Sequence, residues 1–241
     1  MNISLAAEHI AGTALTNAII TGLAGSLLIL VLFLFLARNP KTLPTKKQNF
    51  VEWIVELLLN LATSITGDNQ KALKFLPLVA TFFIFIIINN WLGLLPGVGS
   101  IGFHEVHNNK DVFVPLFRST NADLNTTLAL ALVSVSATQY FGASHLHLSY
   151  FKKFINFSSP ITFFMGILEI ISEIAKVISF SFRLFGNVFA GEVLLAVITG
   201  LAPFIAPAPF YGLELFVGFI QALVFSMLSL VFFHVATQHH A

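Results

Sequence analysis

The sequence predicts an all-α integral membrane protein with about five transmembrane helices, one interfacial amphipathic helix, and a long helix pair at about 160–199 and 210–238. Three observations carry this expectation. Hydrophobic residues make up 56% of the chain and charged residues only 10%, against roughly 25% charge in an ordinary soluble domain. The apolar residues gather in runs close to or above the ~20 needed to cross a bilayer. One of those runs contains Arg183, a permanent cation that is costly at bilayer depth and so must face a partner, a cavity or an ion path.

The elements follow in order. A run from about Leu15 to Ala37 is long enough to span, and with no clean cleavage site after it is read as a retained helix. After Arg38, Lys41, Pro44, Lys46 and Lys47, the segment Phe50 to Ile65 places Val51, Ile54, Val55, Leu58, Leu59 and Ala62 at helical spacing, with Glu52, Glu56 and Asn60 on the other side. This pattern predicts an interfacial helix. The third run, Phe75 to Leu95, ends at Pro96-Gly97-Val98-Gly99, and the polar stretch to Asn121, with His104, Glu105, His107, Lys110, Asp111 and Arg118, is expected to be an exposed loop. Asn121-Ala122-Asp123 supplies capping residues for a span from Leu124 to about Phe141.

The segment His145 to Asn156, with Lys152 and Lys153, returns the chain to a polar surface. Ser158-Ser159-Pro160 then opens a helix with a serine cap and a proline in the first turn. No breaker is met before Thr199, which makes a helix of roughly 60 Å. That is twice the ~30 Å hydrocarbon core, so it must tilt, lie partly in the plane, or break near Gly186 or Gly191. Pro203, Pro207 and Pro209 form a loop before a last span at about Phe210 to Val235. The phenylalanines, 27 in all, read as lipid-facing filler. A single membrane domain, 1–241, is expected.

Several functions are excluded. There are no cysteines, hence no disulfides or thiolate metal sites, and a net charge of +1 gives no reason to expect nucleic acid. His104 and His107 lack a third ligand, so no metal is expected, and no cofactor or phosphate-loop motif is present. With alternating spans, Arg38, Lys41, Lys46, Lys47, Lys71, Lys74, Lys152 and Lys153 fall on one side, against Lys110 and Arg118 on the other. By the positive-inside rule the N-terminus faces outward and His239-His240 faces the cytoplasm.

The long helix carries the chemistry. Glu169, Ser172, Glu173, Lys176, Ser179, Arg183 and Asn187 are spaced by three or four residues and form one polar stripe. Glu192, nine residues past Arg183, lies on the opposite face about 13 Å further along. In the last span Glu214, Gly218, Gln221 and Phe225 share a face, and Glu214 and Glu192 both lie near the outer ends of their helices. Buried carboxylates can pass protons. Two polar routes result, one through Glu192 and Glu214 and one through Glu169, Glu173 and the serines, with Arg183 between them. The simpler alternatives are an ion pair of Arg183 with Glu173 or Glu169, snorkelling of Arg183 to an interface, and interface-level carboxylates at Glu192 and Glu214.

The run Phe180-Ser181-Phe182-Arg183-Leu184-Phe185-Gly186-Asn187-Val188-Phe189-Ala190-Gly191-Glu192 resembles the signature of subunit a of the F-type rotary ATP synthase. Ile88 to Pro96, Asp123 to Leu132 and Ile220 to Phe225 resemble further segments of that family, in family order. The resemblance implies two inclined helices facing a rotating ring of c subunits, with a b-subunit peripheral stalk and the remaining ATP synthase subunits as other partners. It implies that Arg183 faces the ring carboxylate with Asn187 and Gln221 as polar neighbours, that Glu192 and Glu214 line the outer half-channel, and that Glu169 takes the acidic position of the inner one, where the stripe adds Glu173 and Ser179. Asn90, Asp123 and Asn125 match supporting polar positions. The chain departs from the family in one respect, because family members often pair a carboxylate with a histidine at the two entry positions. Two close carboxylates share a proton and titrate as a pair.

The form of the motif resembles bacterial members more than mitochondrial ones, which implies a multi-pass protein of a bacterial inner membrane. A secondary transporter would show two repeats with interrupted helices, and a haem carrier would show facing histidines within spans. Neither pattern is found in the sequence.

Overall fold

The computed structural model describes residues 16–37, 45–95, 97–98, 101–107, 110–146, 150, 154, 159–202 and 205–238, with the side chains of 36–37, 103–114 and 146 outside that description. Arg38, Lys41, Pro44, His147, Lys152, Lys153, Pro203, His239 and His240 therefore lie outside the described residues, as do the side chains of His104, His107 and Lys110.

Six helices and one hairpin are described: α1 (Asn17–Ala37), α2 (Lys46–Thr66), α3 (Asn69–Gly93), β1 (Gly102–His107), β2 (Lys110–Pro115), α4 (Leu124–Leu146), α5 (Pro160–Leu201) and α6 (Pro207–Ala236). α1, α3, α5 and α6 are long and apolar enough to cross a membrane. α4 has the length at 23 residues but carries Asn125, Thr126, Thr127, Ser134, Ser136, Thr138 and Gln139. The chain is a multi-pass, helical membrane protein.

Local chemistry explains where the helices begin. Thr45 caps α2 by accepting from the Gln48 N–H, and Gly67, at φ 67°, closes it with an N–H donated to the Thr63 carbonyl. Asp68 caps α3, which begins six residues before the predicted Phe75, because Lys71 and Lys74 are good helix formers at a polar end. Ser159 and Thr162 form a reciprocal capping box at the start of α5. α6 begins at Pro207, so Pro207 and Pro209 lie in its first turn and not in the expected loop; proline there removes only N–H groups that have no helical partner. α5 runs unbroken for 42 residues through Gly186 and Gly191. At roughly 63 Å it fits a ~30 Å core only by leaning or lying partly at the interface.

The expected exposed loop is replaced by two other structures. Residues 102–107 and 110–115 pair as two antiparallel strands, Gly102 opposite Pro115 and His107 opposite Lys110. The following segment, Arg118 to Asp123, is buried. Several of its polar groups are taken up by helices: the Arg118 N–H donates to Thr21 Oγ1, the Thr120 hydroxyl to the Ala18 carbonyl, and the Asn121 amide to Asn90 Oδ1 at 2.7 Å.

α3 and α6 pack on each other at the centre, α4 lies between α5 and α6, and α1 and α2 lean on α3. α2 turns Leu58, Ala62 and Thr66 inward and leaves Phe50, Trp53, Val55, Leu57 and Leu61 exposed, as an interfacial helix would. Phenylalanine is not only lipid-facing filler. Phe75, Phe141 and Phe233 meet edge-on or tilted with centroids 4.9 to 5.9 Å apart, and Phe82 and Phe180 pack on Phe225 at 5.4 and 4.9 Å. Lipid tails and protein interior are equally apolar, so hydropathy cannot separate the two faces of a span.

Small polar side chains hold these helices together. Ser134 of α4 and Ser229 of α6 share a hydrogen bond of 2.7 Å, and Thr127 of α4 bonds Ser181 of α5 at 3.2 Å. Such bonds contribute about 0.6 kcal/mol on average in a membrane. A Ser134→Ala, Ser229→Ala double-mutant cycle, read by equilibrium unfolding in mixed micelles, is expected to give a coupling of about that size, and a coupling of zero would remove this contact from the account.

Candidate functional site

The polar residues of the last two helices converge at the hairpin end of the bundle. Asn90, Ser119, Asn187, Glu192, Glu214 and Gln221 line one cavity of about 370 Å³, its open mouth included. The four residues expected on the outer route, Glu192, Glu214, Asn187 and Gln221, are thus brought together. The Asn187 side-chain amide donates to Gln221 Oε1 at 2.7 Å, which joins α5 to α6. Asn90 donates to the Gly218 carbonyl at 3.1 Å and accepts from Asn121, which fixes α3 against α6 beside the cavity. Asp123 and Asn125 lie at the start of α4, where the Asp123 carboxylate accepts from the Asn125 amide at 3.4 Å and the Thr126 hydroxyl at 3.3 Å. Their role there is to shape the helix start.

Gly191 brings Glu214 to its place. A Cβ at Gly191 would overlap the Glu214 carboxylate, so the missing side chain is the space that the carboxylate occupies. Gly191→Ala is expected to leave assembly intact, because only the tip of a flexible side chain must move. If the Glu214 carboxylate serves the outer route expected from the sequence, proton conduction should fall by roughly ten- to a hundredfold, as misplacement of a reacting group does. Measured conduction at the parent rate would show that the carboxylate's position is immaterial.

Sequence reasoning missed Arg118. Counted there as a loop cation, it is buried with a side chain 9% exposed, and its Nε lies 3.5 Å from Glu192 Oε2. Ser119, the next residue, lines the same cavity as Glu192 and Glu214. The available signal was its position five residues before Asp123, close to the matched segment; its polar neighbours concealed it.

The long stripe divides. Glu173 turns inward and pairs with Lys176 at 2.9 Å, and Lys176 lies 4.9 Å from the Phe232 ring of α6. Glu169 is half-buried, whereas Ser172, Ser179 and Arg183 are exposed. Arg183 Nη2 donates to Ser179 Oγ, one turn back, at 3.4 Å. Among the described residues no carboxylate lies within ion-pair distance of Arg183, which excludes the predicted alternative pairing with Glu173 or Glu169. Gly186, one turn further on, has open space where a Cβ would be.

Two carboxylates, Glu214 buried and Glu192 half-buried, and an exposed cation thus occupy one helix pair of a multi-pass protein. The family model described as ATP synthase A chain matches residues 18–234. The chain belongs to that family. As an ATP synthase A chain it is the proton-translocating stator subunit of the Fo sector, an ion-conducting component of the complex that works with other ATP synthase subunits. The match includes all six described helices apart from their outermost residues, together with the buried segment that carries Arg118.

Proposed function

We propose that this ATP synthase A chain conducts protons through two offset half-channels and that Arg183 keeps them apart. The outer half-channel runs through Glu214, Glu192, Asn187 and Gln221. The inner one runs along Glu169, Glu173 and Ser179, with Glu173 held by Lys176. Protons pass from the first to a membrane carboxylate on a c-subunit ring, travel with the ring, and leave by the second. Asn90, Asp123 and Asn125 support the helices that line the entry. A b-subunit peripheral stalk holds the subunit against rotation, and ATP chemistry belongs to partner subunits.

The observation that carries this function is the placement of Arg183. It is exposed on an apolar helix between Ile178, Phe182 and open Gly186, and among the described residues it has no acid to neutralise it. A cation so placed in a bilayer needs a counter-charge from another molecule. A ring of carboxylates that comes and goes supplies one. We further propose a bacterial inner membrane, one membrane domain over 1–241, an outward N-terminus and a cytoplasmic C-terminus, with the cavity on the outer side; Lys46, Lys47, Lys71 and Lys74 support this orientation at the opposite end. The test is Arg183→Ala in the whole enzyme, where ATP-driven proton pumping is expected to vanish; pumping at the parent rate overturns the proposal.

A further inference from the structure

We propose that Arg118 is a positioning residue of the proton path: it fixes Glu192 in the cavity and supplies the counter-charge that lets a buried carboxylate release and regain a proton. This rests on the entry route through Glu192 and Glu214.

The geometry has three parts. First, Arg118 is placed by the fold and not by Glu192 alone. Its own N–H is bonded to Thr21 of α1 at 3.1 Å, and on either side Asn17 donates to the Pro115 carbonyl and Thr120 to the Ala18 carbonyl. The guanidinium is therefore carried to Glu192 by a segment tied to α1. Second, the Arg118 side chain reaches this carboxylate directly, Nε to Oε2 at 3.5 Å, and the next residue, Ser119, lines the same cavity. Third, the other carboxylate is treated differently. Glu214 lies against Gly191, and among the described residues it has no cation or hydrogen-bond donor.

The charged groups that act on Glu192 are Arg118 from the segment before α4 and Glu214 from α6. α3 contributes only Asn90 and Gly93 to the cavity wall, and both are neutral. A carboxylate removed from water gives up its proton only where another group shares the charge left behind. Without Arg118, Glu192 would face a second carboxylate across a wall of neutral side chains. With it, two residues of the same type become unlike, one held by a cation and one open to the cavity. An invariant guanidinium suits this role because it does not itself titrate.

The test uses membrane vesicles that contain the full enzyme, stripped of the soluble motor head, and follows passive proton flux against pH. Arg118→Gln is expected to cut flux at neutral pH by about tenfold and to move the midpoint of the flux–pH curve upward by roughly one to three units, the usual influence of a cation this close. Arg118→Lys keeps the charge and should keep the midpoint near that of the parent. The Arg118→Gln, Glu192→Gln double variant should conduct like Glu192→Gln alone, because the charge to be compensated has gone.

Parent flux and midpoint in Arg118→Gln overturn the inference. Where Arg118→Gln fails to assemble, the double variant decides: assembly recovered supports the pairing, and assembly lost to the same degree overturns it. Glu192→Gln and Glu214→Gln serve as separate controls on the route. Normal conduction in both would remove the entry path itself, whereas impaired conduction in them with a normal Arg118→Gln would remove only the role of Arg118.

Discussion

Arg183→Ala is expected to lower ATP-driven proton pumping in inverted vesicles to below about 1% of the parent rate, the scale of loss when a preorganised charge is removed from a site, with assembly unchanged. Assembly should survive because the Arg183 side chain is exposed and its one hydrogen bond, to Ser179, is within its own helix. Pumping should fail for an electrostatic reason. In the proposed function, a fixed cation between the routes attracts each arriving carboxylate in its ionised form and repels a hydrated proton that would cross directly. Remove it, and a protonated carboxylate can pass the contact and protons can exchange between the routes without rotation. Vesicles that pump normally with alanine at 183 would end this account, and immunoblots for the assembled complex separate loss of function from loss of the protein.

The second large effect is expected at Glu214. Glu214→Gln should reduce passive proton conductance through the stripped sector by about a hundredfold, the order of a positioned proton-transfer group. Glu173→Gln should alter it by no more than about twofold. The difference follows from their surroundings. Glu214 borders the cavity that opens at the hairpin end, whereas Glu173 is already neutralised by Lys176 at 2.9 Å. Glutamine keeps the size of either side chain and removes its charge and its titratable proton. Equal rates in the two variants would exclude entry through Glu214.

Much of the fold was legible in the sequence. The spans, the interfacial α2 and the serine cap of α5 follow from run length, helical spacing and capping chemistry, all of which are local. The meeting of Glu192 with Glu214 was legible too, from their equivalent depth at matching ends of two antiparallel helices. Helix starts were less so: α3 and α6 begin before their apolar runs because lysine and first-turn proline are compatible with helix although they interrupt hydropathy.

By itself the sequence determined that this chain lives in lipid, that one long helix carries a cation with polar groups above and below it, and that acidic residues stand at matching heights on the last two helices. These are matters of composition and period, and period survives without knowledge of neighbours. Only the tertiary structure decided which apolar faces are core and which face lipid, since Phe75, Phe225 and Phe233 are no more apolar than the phenylalanines left outside. Only the tertiary structure took Arg118 out of a predicted loop and set it 3.5 Å from Glu192. The physical reason is common to both. Burial of a polar segment depends on partners far away in sequence, here Ala18, Thr21 and Asn90, and no local pattern reports where those partners will be.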